Sequence, residues 1–258
     1  MFVTTAYRVT ETMLNKAKGV AIDLDIPFYT RGKKSISRMQ EERGTGCIVA
    51  GNETLKLFGF GEDAPFFFHP SSAMFRVKRL IEGGSDPLIE AAGLERGHSF
   101  LDCTLGLASD SIVASFVTGK EGMVTGIEGN QYVAYLVKKG LLSWTTSVAP
   151  LDEAMSRVQV VNSNSLSLLK SLPDNSVDCV YWDPMFEESI DESEGIRSLR
   201  QFALYEGLGE EEIIESLRVS RNRVVLKDHF KSTRFDEFGF RRAIRKAAKF
   251  HYGYLEKK

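Results

Sequence analysis

Four residues near the middle of the chain have the types and spacing to hold a charged cofactor: Asp102, Gly106, Asp110 and Glu128. They lie within Ser99 to Glu128, which reads as a strand, a tight turn, a helical run and a second strand ending in an acid. That is the first half of a nucleotide-binding βαβ unit. A dinucleotide is disfavoured there. Pyrophosphate needs several turn glycines so that backbone N–H groups can approach it, and only Gly106 sits inside this turn. Two carboxylates beside a phosphate would repel it. They suit a cofactor with a cationic end and no phosphate, and S-adenosylmethionine (SAM), with its sulfonium and ammonium groups, is one. Glu128 follows about twenty residues after the turn, where an acid can accept hydrogen bonds from both ribose hydroxyls. Gly106 taken singly can equally be a structural turn residue; the four positions together define the half-site.

A second group of residues suits methyl transfer to an amine. The apolar run Val177 to Trp182 ends in Asp183-Pro184-Met185-Phe186, at the strand end where open α/β sheets place their ligands. The lone pair of a ring amine is delocalised into its base. Acceptors that hold the two amine protons favour a pyramidal nitrogen and aim it at the methyl group. Asp183 offers a carboxylate, Pro184 a backbone carbonyl on a stiffened chain, and Phe186 a ring on which a base can stack, worth about 1–3 kcal/mol. Asp-Pro is also an ordinary turn, and the preceding half-site is what favours the chemical role. Asn162-Ser163-Asn164-Ser165 closes a third strand where an adenine edge can be read, with a plain helix cap as the equal alternative. Lys227 and His229 line the substrate pocket or form a solvated strand end. The four histidines are scattered, and no metal-ligand spacing occurs.

The elements that must position these groups follow from periodicity. The 258 residues are 43% hydrophobic, with a formal net charge of −2. That fits one large domain, or one of ordinary size with an attachment, and puts any nucleic-acid contact in local patches rather than in overall charge. Cys47, Cys103 and Cys179 are far apart and odd in number; no disulfide is expected. With no leader pattern and no membrane-length apolar run, a cytoplasmic protein is expected. Strands are expected near Phe2–Tyr7, Val158–Val161, Val177–Trp182, Arg223–Lys227 and Phe250–Leu255, with a hairpin about Gly51-Asn52. Helices are expected over Thr10–Leu24, Ser71–Ile81 (capped by Ser71 or Ser72), Asp86–Ala92, Asn130–Leu142, Leu166–Leu172, Ser198–Tyr205 and Glu210–Leu217. Trp144–Met155 reads as a connection broken by Pro150, and Glu187–Gly195 as an acidic loop. Phe66-Phe67-Phe68 reads as packing at a hinge more readily than as a stacking platform.

Residues 1–68 differ in character from 69–258, and read as a small α+β region attached to a Rossmann-like, mostly parallel, doubly wound domain. Arg31, Lys33, Lys34, Arg38 and Arg43 give the small region a positive lean, which means either a solvated loop or contact with RNA phosphates. Arg241, Arg242, Arg245, Lys246 and Lys249 form a second basic stretch near the end of the chain.

Leu101-Asp102-Cys103-Thr104-Leu105-Gly106-Leu107-Ala108-Ser109-Asp110, Glu128, Ser163-Asn164-Ser165-Leu166 and Asp183-Pro184-Met185-Phe186 together resemble the RsmJ-type family. These are class I SAM-dependent methyltransferases that act on guanine N2 in small-subunit ribosomal RNA. The likeness covers roughly residues 66 to 258. It implies SAM contacts at Ser109, Asp110, Glu128, Gly129, Asn164, Ser165 and Asp183, and small-subunit ribosomal RNA as partner, with no membrane and no metal. The chain departs from the family pattern at Ala108 and Ser109, where glycine and arginine are usual, at Gly129, an arginine in the family, and at Asp228-His229, which replaces Arg-Pro. Methylation of DNA, protein or a small molecule is the alternative enzymatic reading. A non-catalytic RNA-binding module that keeps the fold is the alternative from another class.

Overall fold

The computed structural model describes residues 1–184, 202, 208–245 and 248–257. Two sheets organise them. The smaller is built from β1 (Phe2–Thr5), β2 (Cys47–Ala50) and β3 (Leu55–Phe58) in the order β1-β2-β3. β1 runs parallel to β2, and β2 and β3 form the hairpin expected at Gly51-Asn52, closed by the Gly51 amide donating to the Thr54 carbonyl at 2.9 Å. Between β1 and β2 lie α1 (Glu11–Leu24) and α2 (Ile36–Arg43). Thr10 caps α1, its hydroxyl accepting from the Met13 amide at 3.2 Å. No apolar periodicity announces α2, because charged and polar residues cover most of its surface.

The larger sheet has seven strands in the order β6-β5-β4-β7-β8-β10-β9. They are β4 (Ser99–Asp102), β5 (Met123–Glu128), β6 (Gln159–Asn162), β7 (Val177–Trp182), β8 (Ser220–His229), β9 (Arg241–Ala243) and β10 (Phe250–Glu256). β10 runs antiparallel to β8 and β9, and the strands from β6 through β8 are parallel. The helices are α3 (Ser71–Ile81), α4 (Pro87–Ala92), α5 (Ser109–Thr118), α6 (Gln131–Ser143), α7 (Ala149–Arg157), α8 (Ser165–Ser171), α9 (Glu210–Val219) and α10 (Arg234–Glu237). This is the mostly parallel, Rossmann-like α/β architecture that the sequence predicts.

Successive side chains of a strand point to opposite faces, and the central strands bury both. Phe100, Cys179, Tyr181 and Val225 join the core under α3, α5, α6 and α7. Leu101, Val180, Trp182, Val224 and Leu226 join a second core with Leu169 of α8 and Ile213 and Val219 of α9. Both faces being covered explains why β7 reads as a mostly apolar run.

Two expectations need correction. α3 begins at Ser71 with Pro70 as its N-cap and no side-chain cap. The Ser71 hydroxyl bonds His69 Nδ1 at 3.2 Å instead. Residues 149–157 form a helix, not a connection, because Pro150 sits in its first turn, where the missing N–H has no helical partner to lose. The expected helix at Ser198–Tyr205 and acidic loop at Glu187–Gly195 lie outside the described residues, Phe202 excepted.

Phe66 and Phe68 are buried, in keeping with a packing role. The Phe68 ring meets Trp144 edge-on at 6.1 Å and lies so close to α6 that a Cβ on Gly140 would sit 2.3 Å from its Cγ and 2.6 Å from its Cβ. Overpacking costs about 1–3 kcal/mol, and a clash with atoms near the backbone belongs at the upper end. Alanine gains roughly 1 kcal/mol in a helix, so Gly140→Ala is expected to destabilise by about 1–2 kcal/mol net, read as a lower urea midpoint. All three cysteines are free and buried: Cys47 in the small sheet, Cys103 after β4 and Cys179 in β7.

Candidate active site

Parallel strands bring their carboxyl ends to one edge, so Asp102 of β4, Glu128 of β5, Asp183 after β7 and Lys227 of β8 meet along it. The turn between β4 and α5 is tight. Gly106 has φ 48° and Ala108 φ 60°, the left-handed region in which a Cβ is strained by about 1–2 kcal/mol. Ala108 is therefore a residue in a glycine's conformation, and α5 starts from it with no side-chain cap.

The acids of the half-site divide into two kinds. Asp102 is 1% exposed and faces inward, accepting from the Thr104 amide at 3.0 Å and the Ser111 hydroxyl at 2.7 Å. Burial pushes its carboxyl up to about 7. Thr104 in turn accepts from the Asp183 amide at 2.7 Å, which ties the turn to the Asp-Pro corner. Asp110 is also buried. Its Oδ1 accepts from Arg76 at 2.5 Å, and its Oδ2 accepts from the Tyr181 hydroxyl at 2.9 Å and from Lys227 at 3.4 Å. Burial works against its charge, but Lys227 and Arg76 hold it well below the usual carboxylate range. Asp102 and Asp110 thus make their bonds within the protein, around the turn.

Glu128 is half-buried and accepts from the Asn130 amide at 2.9 Å. Burial raises it to about 7, opposed by the amides of Asn130 and Gly106. Gly129 beside it is exposed, and Asn162 Nδ2 donates to the Glu128 and Gly129 carbonyls at 2.7 and 3.0 Å. Ser109 is half-buried in the first turn of α5. Asn164 caps α8, accepting from the Ser167 amide at 2.8 Å, and the Ser165 hydroxyl donates to the Cys103 carbonyl at 2.6 Å. The hydroxyl of Ser165 therefore ties α8 to β4.

Asp183 is half-buried, and its Oδ2 accepts from Lys227 Nζ at 2.5 Å. Burial raises its carboxyl to about 6 against the pull of Lys227. For Lys227, burial opposes the charge but Asp110 and Asp183 outweigh it, so the ammonium persists. Pro184 is buried behind Asp183. Met185 and Phe186 lie outside the described residues. His229 packs against Phe230 at 4.6 Å between ring centroids, and His69 is a packed loop residue beside Phe67. Among the described residues no cluster of His, Cys, Asp and Glu could hold a metal ion, and no helix is long and apolar enough to cross a membrane.

The donor set fits SAM. A carboxylate has about four lone-pair sites, so Glu128 retains acceptors for ribose hydroxyls, and the uncapped start of α5 suits a carboxylate. The family profile described as "Putative SAM-dependent methyltransferase" matches residues 37–239. The chain belongs to this family, and SAM is its cofactor. It is 46% identical over 254 residues to the uncharacterized protein YpiP of Bacillus subtilis, covering 98% of both chains. It is 26% identical over 199 residues to ribosomal RNA small subunit methyltransferase J of Pseudomonas fluorescens, covering 73% of this chain and 74% of that one. The counterpart in Alteromonas mediterranea is 28% identical over 165 residues, with 62% of this chain and 61% of that one covered. The resemblance to the RsmJ type thus holds at modest identity, as for a divergent member. The solved SAM-dependent methyltransferase NGO1261 of Neisseria gonorrhoeae shares the fold, with a TM-score of 0.61 at 16% identity over 100% of this chain and 96% of that one.

Proposed function

We propose that this methyltransferase acts on an exocyclic amine of a base in ribosomal RNA, guanine N2 as the RsmJ-type resemblance implies. The observation that carries the reading is Asp183, half-exposed at the carboxyl end of β7, held by Lys227 and followed by Pro184. When bound, SAM supplies an electrophilic methyl group. Asp183 and the Pro184 carbonyl accept the amine protons and orient the nitrogen lone pair. The Asp183 carboxylate would accept the departing amine proton, while bound SAM would supply the methyl group to nitrogen and keep the carbon–sulfur electron pair. Phe186 gives the base its stacking surface. Glu128 takes the ribose hydroxyls, and Gly106, Ser109, Gly129, Asn164 and Ser165 line the cofactor's path, with Asp102 and Asp110 fixing the loop.

RNA grip is assigned to residues 1–68 and to the far end of the sheet, beside the methyltransferase domain of 69–258. In the first region Lys34 and Arg38 pair with Glu42, and Arg43 lies over Tyr29. At the other end Phe230 is 41% exposed with Lys231 over its ring at 5.6 Å, a combination that suits stacking with phosphate contact. Mass-spectrometric mapping of ribosomal RNA from a deletion strain tests the reading: one base methyl group should be lost, and purified protein should restore it. An unchanged methylation map sinks it and turns the search to DNA, protein or small molecules.

Glu128 gives SAM binding a pH dependence. Its ionised form is the better acceptor, and burial sets its titration near 7. Affinity is therefore expected to rise about tenfold from pH 6 to pH 8, by calorimetry, and Glu128→Gln should flatten the profile.

A further inference from the structure

We propose that Arg76, on α3 and outside the catalytic sheet, is a positioning residue for methyl transfer: through Asp110 it fixes where Lys227 sits, and so keeps Asp183 ionised and aimed into the crevice. This rests on the amine-methylation reading. The physical basis is a ladder of alternating charge. Asp86, whose side chain is fully buried, takes two bonds from the Arg76 guanidinium, each 2.8 Å. Arg76 Nη1 bonds Asp110 at 2.5 Å, Lys227 lies 3.4 Å from Asp110, and Lys227 bonds Asp183 at 2.5 Å. Arg79 adds a half-exposed cation to Asp86 at 3.1 Å.

Several groups act electrostatically on Asp183 besides Lys227. Asp228 comes from the same strand, Asp110 from α5, Asp102 from β4, and the hydroxyls of Tyr181 and Tyr252 from β7 and β10. Among the described residues the cation in contact with Asp183 is Lys227, and Asp110 competes for it. Arg76 ends that competition by satisfying Asp110 from the other side. Without Arg76, two carboxylates share one ammonium. Asp110 keeps the Tyr181 hydroxyl and is the less exposed, at 10% against 23%. Lys227 then shifts toward Asp110, and the proton that balances the charge settles on Asp183, leaving a poorer acceptor for the amine.

The test compares the full-length protein with Arg76→Met, with Arg76→Met/Asp110→Asn and with Asp110→Asn. Two readouts are taken: the carbon-13 titration of the Asp183 carboxyl, assigned by its loss in Asp183→Asn, and the pH profile of methyl transfer to small subunits from the deletion strain. Arg76→Met should raise the Asp183 midpoint by about one unit and lower transfer at neutral pH about tenfold. The double variant removes the competing carboxylate as well, so the Asp183 midpoint should return to near the wild-type value. A merely structural Arg76 would give a double variant with the midpoint of the single one, or lost activity with an unmoved midpoint, and either outcome overturns the proposal. If Arg76→Met does not fold, Asp110→Asn decides: the Asp183 midpoint should fall, and an unchanged one overturns the proposal. Wild-type protein that methylates no ribosomal RNA overturns the functional reading instead, while the titrations still judge the ladder.

Discussion

Asp183→Ala is expected to lower methyl transfer to ribosomal RNA by at least about 100-fold, with SAM still bound. In the proposed reaction the carboxylate accepts the proton that leaves as the new bond forms, and among the described residues it is the carboxylate at the end of β7. The fold should tolerate the change. Lys227 keeps Asp110 at 3.4 Å, so its ammonium is not stranded, and the Asp183 amide still donates to Thr104. Tritiated-methyl transfer to subunits from a deletion strain measures the loss, and calorimetry checks the cofactor. Retained label in this variant would remove Asp183 from the reaction.

Asp86→Ala should produce the largest loss of stability. The side chain of Asp86 is 0% exposed. It caps α4 by accepting from the Leu88 amide at 3.1 Å and holds the Nε and Nη2 edge of the Arg76 guanidinium. Removing one partner of a buried pair costs about 3–5 kcal/mol, because the remaining charge is left uncompensated, and a lost cap costs about 1 kcal/mol. Asp110 still touches Arg76 and softens the first figure. A net loss of about 3 kcal/mol is expected, read from the urea midpoint at unchanged slope. A loss below about 1 kcal/mol would mean that water reaches Arg76 and replaces the carboxylate.

The carboxyl edge of the sheet was legible where chemistry and strand end coincide. Val177–Trp182 announced itself as a strand buried on both faces, so Asp183 had to fall at its carboxyl end, and Glu128 closed β5 in the same way. Asp102 and Asp110 were found for the right turn, but spacing along a chain does not say which way a carboxylate faces, and their partners Ser111, Arg76 and Tyr181 emerge only in the fold. Arg76 carried no local signal of its place in the site. It meets Asp110 across 34 residues, and Asp110 meets Lys227 across 117, and such pairings exist only after folding. β9 was hidden because a three-residue edge strand of Arg241–Ala243 looks like a basic tail. α7 was hidden by a proline that ends a helix in the interior but starts one here.

The three enclosed thiols provide a native clock for local opening. Burial pushes Cys47 up to about 12 and raises Cys103 and Cys179 as well, so none is a thiolate at neutral pH while the chain is closed, and the thiolate is the reactive form. Alkylation must wait for the segment around each to breathe. Cys47 reports the three-stranded sheet, whereas Cys103 and Cys179 report the neighbouring strands β4 and β7 that lead to the candidate site. Unmodified protein can therefore be timed in both places at once by its own sulfur, and a ligand that slows labelling at Cys103 but not at Cys47 reveals which part it has quieted.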